Sequence, residues 1–174
     1  MPLCHYHLRK GEHRGQMTTD ARLFAAGDGP TGPGTYALLI ALERSAETVI
    51  GRLGRFRFPA GFYLYVGSAL GPGGLAGRLA RHLRADKRLH WHVDYVLHAR
   101  SALVLEVWTK NDAVRRECDW ARAAMRLAGA SVVVPRFGAS DCRCAAHLYG
   151  FAAMPDLIAF ASLAGCPVER WVMR

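Results

Sequence analysis

Apolar positions along the chain fall into short blocks separated by glycine, proline and charge. Residues 35–42 (Thr-Tyr-Ala-Leu-Leu-Ile-Ala-Leu) form a run with the length of a buried strand. Residues 47–53 form a second such run, and Glu43-Arg44-Ser45-Ala46 between them suggests a hairpin. A third strand, Gly61-Phe-Tyr-Leu-Tyr-Val-Gly67, is dense in aromatics, as strands favour. The glycine-rich stretch Gly67–Gly74 reads as a loop and leads into residues 75–84, where Leu75, Leu79 and Leu83 recur at helical spacing. Residues 88–97 fit helix or strand, and residues 102–109 read as a strand. The clearest helix is 112–128: Asp112 offers an N-cap, Val114, Cys118, Ala121, Met125 and Ala128 make one face, and Gly129 is the stop. Ser131–Val134 reads as a short strand, 137–144 as a loop and 156–164 as a last short helix. Strands and helices mix without βαβ alternation, which predicts an α+β fold.

Length and composition narrow the partners. A chain of 174 residues is one domain's worth, with 51% hydrophobic and 21% charged residues, as expected of a globular protein. Residues 1–33, rich in Gly, Pro, Thr and charge, read as a flexible N-terminal arm. The main domain is expected over 34–150, with 151–174 as a C-terminal extension packed on or beside it. The first sixteen residues hold no continuous apolar run of the kind a secretory signal needs. The longest apolar stretch, Leu148–Cys166, is broken by Pro155 and Asp156 and falls short of the roughly 20 residues that span a bilayer. Five cysteines, an odd number, suggest reduced thiols or a metal site before a disulfide framework. The expectation is a cytoplasmic protein with no membrane association; nothing in the sequence points to a protein partner. The formal net charge is +9, and twenty of the 23 basic residues are arginines. The arginine fork grips phosphate bidentately, so the charge points to nucleic acid, although arginine-rich genome composition accounts for part of the ratio.

Three places can carry chemistry. On the helix over 75–84, Arg78 and His82 stand at i and i+4 with Arg81 beside them, behind a glycine loop whose free N–H groups favour an anion. A solvated basic face is the plainer alternative. The loop lacks Gly-Lys-Ser/Thr, so it is not a Walker motif. Glu117 falls beside the apolar stripe of the later helix, where it needs water, a cation or a metal; a salt bridge to an arginine is the alternative. Cys142-x-Cys144-x-x-His147 offers three soft ligands, with Cys118 as a fourth after folding. Structural zinc commonly uses four ligands in Cys-x-x-Cys pairs, so reduced thiols that stiffen a loop are favoured over zinc there. His90, His92 and Asp94 offer another possible metal set, with a packed, hydrogen-bonded segment as the favoured reading.

Gly34-Thr-Tyr36 opening the first strand, Tyr65-Val-Gly67 closing the third, Arg78 on the next helix and Glu117 on a later one resemble the GIY-YIG nuclease superfamily. Tyr65-Val-Gly-Ser-Ala69, Arg81-His-Leu83, His90-Trp-His-Val-Asp-Tyr95 and Phe137-Gly-Ala-Ser-Asp-Cys142 look like signatures of its Uri-type branch, over roughly residues 34–150. The resemblance implies a small three-stranded antiparallel sheet flanked by helices, and metal-dependent hydrolysis of phosphodiester bonds, DNA before RNA. Glu117 would hold one Mg²⁺ or Mn²⁺, and Arg78 would neutralise the phosphate. Tyr65 would orient or deprotonate the attacking water, Tyr36 would support the phosphate and water network, and His82 is an alternative proton relay. Around them, Ser68, Arg81, Arg84, Lys87, His90 and His92 are the candidate nucleic-acid contacts. The 29-residue separation of Tyr36 and Tyr65 is wider than the family's usual spacing, so Glu47–Pro59 reads as a longer hairpin. The asparagine that many members carry after the acidic helix has no counterpart, and Ser140 or Asp141 is the candidate substitute. Two other functions fit fewer of these residues: a nucleic-acid-binding module without catalysis, and a zinc-stabilised adaptor built on Cys142–His147.

Overall fold

The computed structural model describes residues 21–24 and 29–173. In chain order the elements are β1 (Ala21–Phe24), β2 (Gly34–Leu42), β3 (Ala46–Ile50), β4 (Gly54–Phe58), β5 (Gly61–Ala69), α1 (Gly74–Leu83), α2 (His92–Leu97), β6 (Ala102–Asn111), α3 (Glu117–Arg126), β7 (Leu148–Phe151), α4 (Leu157–Ala164) and β8 (Glu169–Met173). Six strands form one sheet in the order β1-β8-β6-β2-β5-β7, and β3 and β4 form a separate two-stranded hairpin. The pairing of β1 with β8 is parallel and the others are antiparallel.

This corrects the expected small three-stranded antiparallel sheet: the sheet is six-stranded and mixed. The strands beyond those the sequence pattern predicts come from the expected arm (β1) and from the C-terminal apolar stretch and extension (β7 and β8). Ala21–Phe24 lies in the expected arm yet pairs with β8, while residues 1–20 and 25–28 of that arm lie outside the described residues. Leu148–Phe151 pairs with β5, and the expected strand at Ser131–Val134 is reduced to a single bridge between Ser131 and Gly150.

Helices cover both faces of the sheet, which is why β2 is buried along almost its whole length. Tyr36 is registered opposite Thr109 of β6, whereas Trp108 is registered opposite Ala37, so Tyr36 and Trp108 point to opposite faces. Tyr36 meets α1 through His82, with ring centroids 5.5 Å apart. Trp108 meets α4 through Phe160 at 5.2 Å, and Phe160 in turn contacts Trp120 of α3 edge-on at 5.1 Å. These aromatics are fully buried and fix α3 and α4 against the sheet.

Two helices differ from their sequence pattern. In α1 the buried positions are Leu75, Leu79 and His82, so a histidine takes the third core position expected of Leu83. The helix expected over 112–128 spans only Glu117–Arg126; Asp112 lies ahead of it, accepting from the Val114 N–H at 3.2 Å and pairing with Arg116 at 3.0 Å. Its buried face is Trp120, Ala121, Ala123 and Ala124, whereas Val114 and Met125 are exposed. Among the described residues, no helix is long and apolar enough to cross a membrane.

Candidate active site and metal cluster

The cleft lies where β2 and β5 run out beneath α1, α2 and α3. It encloses about 470 Å³ and is lined by Tyr36, Tyr65, Ser68, Arg78, Trp91 and Glu117, among others. Register explains the glycine in Tyr65-Val-Gly67. Gly67 stands directly opposite Tyr36, and a Cβ there would come within 2.4 Å of the Tyr36 hydroxyl. The absence of a side chain at residue 67 therefore lets the Tyr36 ring cross β5 and reach α1.

There Tyr36 Oη lies 2.7 Å from Nε2 of the buried His82. The other ring nitrogen, Nδ1, faces the Asp94 carboxylate at 3.8 Å, beyond hydrogen-bond length. Burial pushes the His82 pKa down against the upward pull of Asp94, so the ring is neutral at neutral pH. Burial also pushes the Tyr36 phenol well up, with Tyr65 adding to it and Arg78 opposing. Tyr65, packed edge-on against His82 and Phe137, is raised by burial first and by Glu117 second.

Asp94 organises the wall behind this pair. Its side chain is fully buried and accepts from both Arg81 N–H groups at 3.2 and 3.1 Å and from the backbone N–H groups of His90 and Trp91 at 2.9 Å each. Burial alone would raise its pKa, but His82, Arg81 and the backbone donors outweigh that and hold the carboxyl well below its ordinary range. The two backbone bonds also cap α2, since Asp94 reaches back over the first turn. Trp91 carries Arg78 and Arg81 over its ring, at 4.2 and 3.9 Å from the centroid.

The expected site residues therefore divide. Tyr36, Tyr65, Ser68, Arg78, His90, His92 and Glu117 line one cleft, and His82 supports it from behind. His92 accepts a 2.9 Å bond from the Gly138 N–H, which ties α2 to the loop after α3. Arg78, Arg81 and His82 do not form one phosphate-facing surface. Arg81 is committed to Asp94, His82 points inward, and among the described residues no carboxylate pairs with Arg78. The Lys87 side chain is tucked inward, donating to the His82 carbonyl, and burial lowers its pKa. With Arg84 it borders a different depression from the cleft. The sequence reading missed Trp91 and Arg115 as cleft residues; the basic positions flanking an aromatic in 78–91 were the available signal for Trp91.

Glu117 opens α3 with one oxygen accepting from Ser68 Oγ at 3.0 Å and the other 3.3 Å from Nδ1 of His147. Behind it, Cys118, Cys142, Cys144 and His147 bring their ligand atoms within 4.8 Å of one another, so this group could hold a metal ion. Burial, together with the neighbouring thiols, pushes Cys144 up to about 12.

The chain belongs to the family described as domain of unknown function DUF123, whose model matches residues 35–165. Comparison with curated proteins and with solved structures finds no match.

Proposed function

We propose that the protein is a metal-dependent endonuclease of the GIY-YIG superfamily, of its Uri-type branch, hydrolysing phosphodiester bonds in DNA. The observation that carries this reading is the convergence of Tyr36, Tyr65, Arg78 and Glu117, from four separate elements, on one open cleft. The donor set suits Mg²⁺ or Mn²⁺: the hard carboxylate of Glu117, 17% exposed, borders a space wide enough for waters and phosphate oxygens, and Asp141, paired with Arg115, stands on the same lining. Such an ion at Glu117 would polarise the phosphate and stabilise the leaving 3′ oxygen.

The remaining roles fall to the chain's own groups. Arg78, held over Trp91 and free of a carboxylate partner among the described residues, neutralises charge on the non-bridging oxygens. Burial and Glu117 raise the Tyr65 pKa, which favours its orienting water or phosphate by hydrogen bonding. The proton route runs through Tyr36 instead. Its hydroxyl passes a proton to neutral His82 Nε2 while taking one from the attacking water, and Asp94 faces the imidazolium that results.

The test incubates the full-length protein with Mg²⁺ or Mn²⁺ on single-stranded, duplex and branched DNA and on RNA, beside Glu117→Ala and Arg78→Ala. At least one DNA substrate is cut, and both variants lose the activity. Salt-dependent binding without cleavage under either metal would leave a nucleic-acid-binding module and sink the nuclease reading.

A further inference from the structure

The four soft donors behind Glu117 come from separate places in the chain. Cys118 sits in the first turn of α3, Cys142 and Cys144 on the loop that follows, and His147 immediately before β7. Four-coordinate zinc with bonds of about 2.3 Å to sulfur spaces its ligands roughly 3.8 Å apart. Ligand atoms already within 4.8 Å reach that arrangement by small rotations of cysteine side chains. Three sulfurs and an imidazole in tetrahedral array favour zinc over hard cations. In addition, α3 starts without any side-chain cap, so a ligand in its first turn supplies the anchor that its sequence lacks.

His147 joins this cluster to the cleft. Its backbone is fixed on both sides: its N–H donates to the Phe137 carbonyl at 2.7 Å, and its carbonyl accepts from Val66 at 2.8 Å. The ring is 1% exposed, with Nε2 3.3 Å from Cys142 Sγ. Nδ1 is a buried atom with no hydrogen-bond partner, although a Glu117 oxygen stands 3.3 Å away. Ligation through Nε2 leaves the ring proton on Nδ1, where it faces that carboxylate, as in carboxylate–histidine–zinc triads.

We infer that Cys118, Cys142, Cys144 and His147 bind one zinc ion, and that through His147 this zinc fixes the position of Glu117 in the cleft. The zinc site stands independently of the nuclease reading; only the use made of Glu117 rests on it. His147 is thus a positioning residue for Glu117 as well as a ligand, and loading the cluster releases the thiol protons.

The untagged full-length protein, incubated with zinc and desalted, is expected to hold one zinc per chain. Cobalt in its place gives thiolate-to-cobalt charge transfer and tetrahedral d–d bands. Cys144→Ser loses both, whereas Cys166→Ser, outside the cluster, keeps them. His147→Cys retains a fourth thiolate for zinc but has no Nδ1. Its Mn²⁺ affinity at the cleft, read by electron paramagnetic resonance, falls by roughly 10- to 100-fold. Stripping zinc from the wild type with a chelator lowers Mn²⁺ affinity likewise, and reloading restores it. Folded protein that takes up no zinc, or that holds another metal in preference, overturns the site. Mn²⁺ affinity indifferent to zinc removal overturns the positioning role, even if His147→Cys does not fold. Bound zinc and intact Mn²⁺ binding without any cleavage would instead fail the nuclease reading and leave this inference standing.

Discussion

Asp94, buried behind the cleft wall, and Glu117, on the cleft lining, are carboxylates built in opposite ways. Asp94 is fully buried and surrounded by the Arg81 fork, two backbone N–H groups, Lys87 and a facing imidazole. Glu117 borders open space with a serine hydroxyl on one oxygen and an off-line imidazole nitrogen near the other. A carboxylate whose lone pairs are all answered has no valence left for a substrate or ion, but it fixes whatever donates to it. A carboxylate with weak, partial partners is cheap to recruit into chemistry. Asp94 therefore sets the wall that carries Arg78, Trp91 and His82, while Glu117 is the carboxylate left open to the cleft, as the proposed chemistry requires.

Predictions that separate the two run from large effects to small. Glu117→Ala lowers cleavage by at least about 10³-fold, the scale for loss of one essential group, with little change in melting temperature. A large loss of stability would place Glu117 with Asp94 as a framework residue. Asp94→Asn costs about 3 kcal/mol of unfolding free energy, since Arg81 and Lys87 lose their buried counter-charge. Denaturant titration reads this directly, and an unchanged midpoint would undo the contrast.

The third prediction concerns pH. His82 has a folded-state pKa depressed below 6.5 by burial, so the unfolded chain takes up the proton first. The stability due to a neutral His82 is complete above 6.5 and declines as pH drops below that value toward the folded-state pKa. Urea midpoints compared between about pH 7 and pH 5 are expected to fall less steeply in His82→Gln than in the wild type; equal slopes would show that His82 is not buried neutral. Asp94, depressed in the fold, stabilises above its ordinary carboxyl range, and this contribution disappears only as pH falls through its low folded-state pKa. The smallest effect belongs to Ser68→Ala. Removing the 3.0 Å bond to Glu117 costs about 1 kcal/mol, near fivefold in Mn²⁺ affinity by calorimetric titration.

What the sequence carried and what it did not follow from the range of the interactions. β2, β5 and α1 are written locally, in apolar runs, glycines and a helical repeat, and they hold Tyr36, Tyr65 and Arg78 where the pattern placed them. β1, β7 and β8 are short segments whose strand character comes from partners far along the chain, so no local period announces them. At α3 the helix begins five residues after Asp112, whose carboxylate accepts from the Val114 N–H and pairs with Arg116 ahead of the first turn. Arg81 and Lys87 have the pattern of phosphate ligands because a basic residue's partner is invisible in sequence, and that partner, Asp94, lies in a segment whose pattern indicates only hydrogen-bonded packing. Cys118 joins the other soft ligands across 24 residues of sequence to Cys142, a distance only tertiary structure closes.

The edge made by β1 and β8 carries a consequence for how the molecule is made. β8 lies between β1 and β6, so among the described residues β1 is joined to the sheet only by a segment more than 140 residues later. During vectorial synthesis on the ribosome, β2, β5 and β6 can pair as they emerge, but β1 must wait for Glu169–Met173. The sheet closes from its middle outward, and β1, the earliest of its described strands, is the last to find its place.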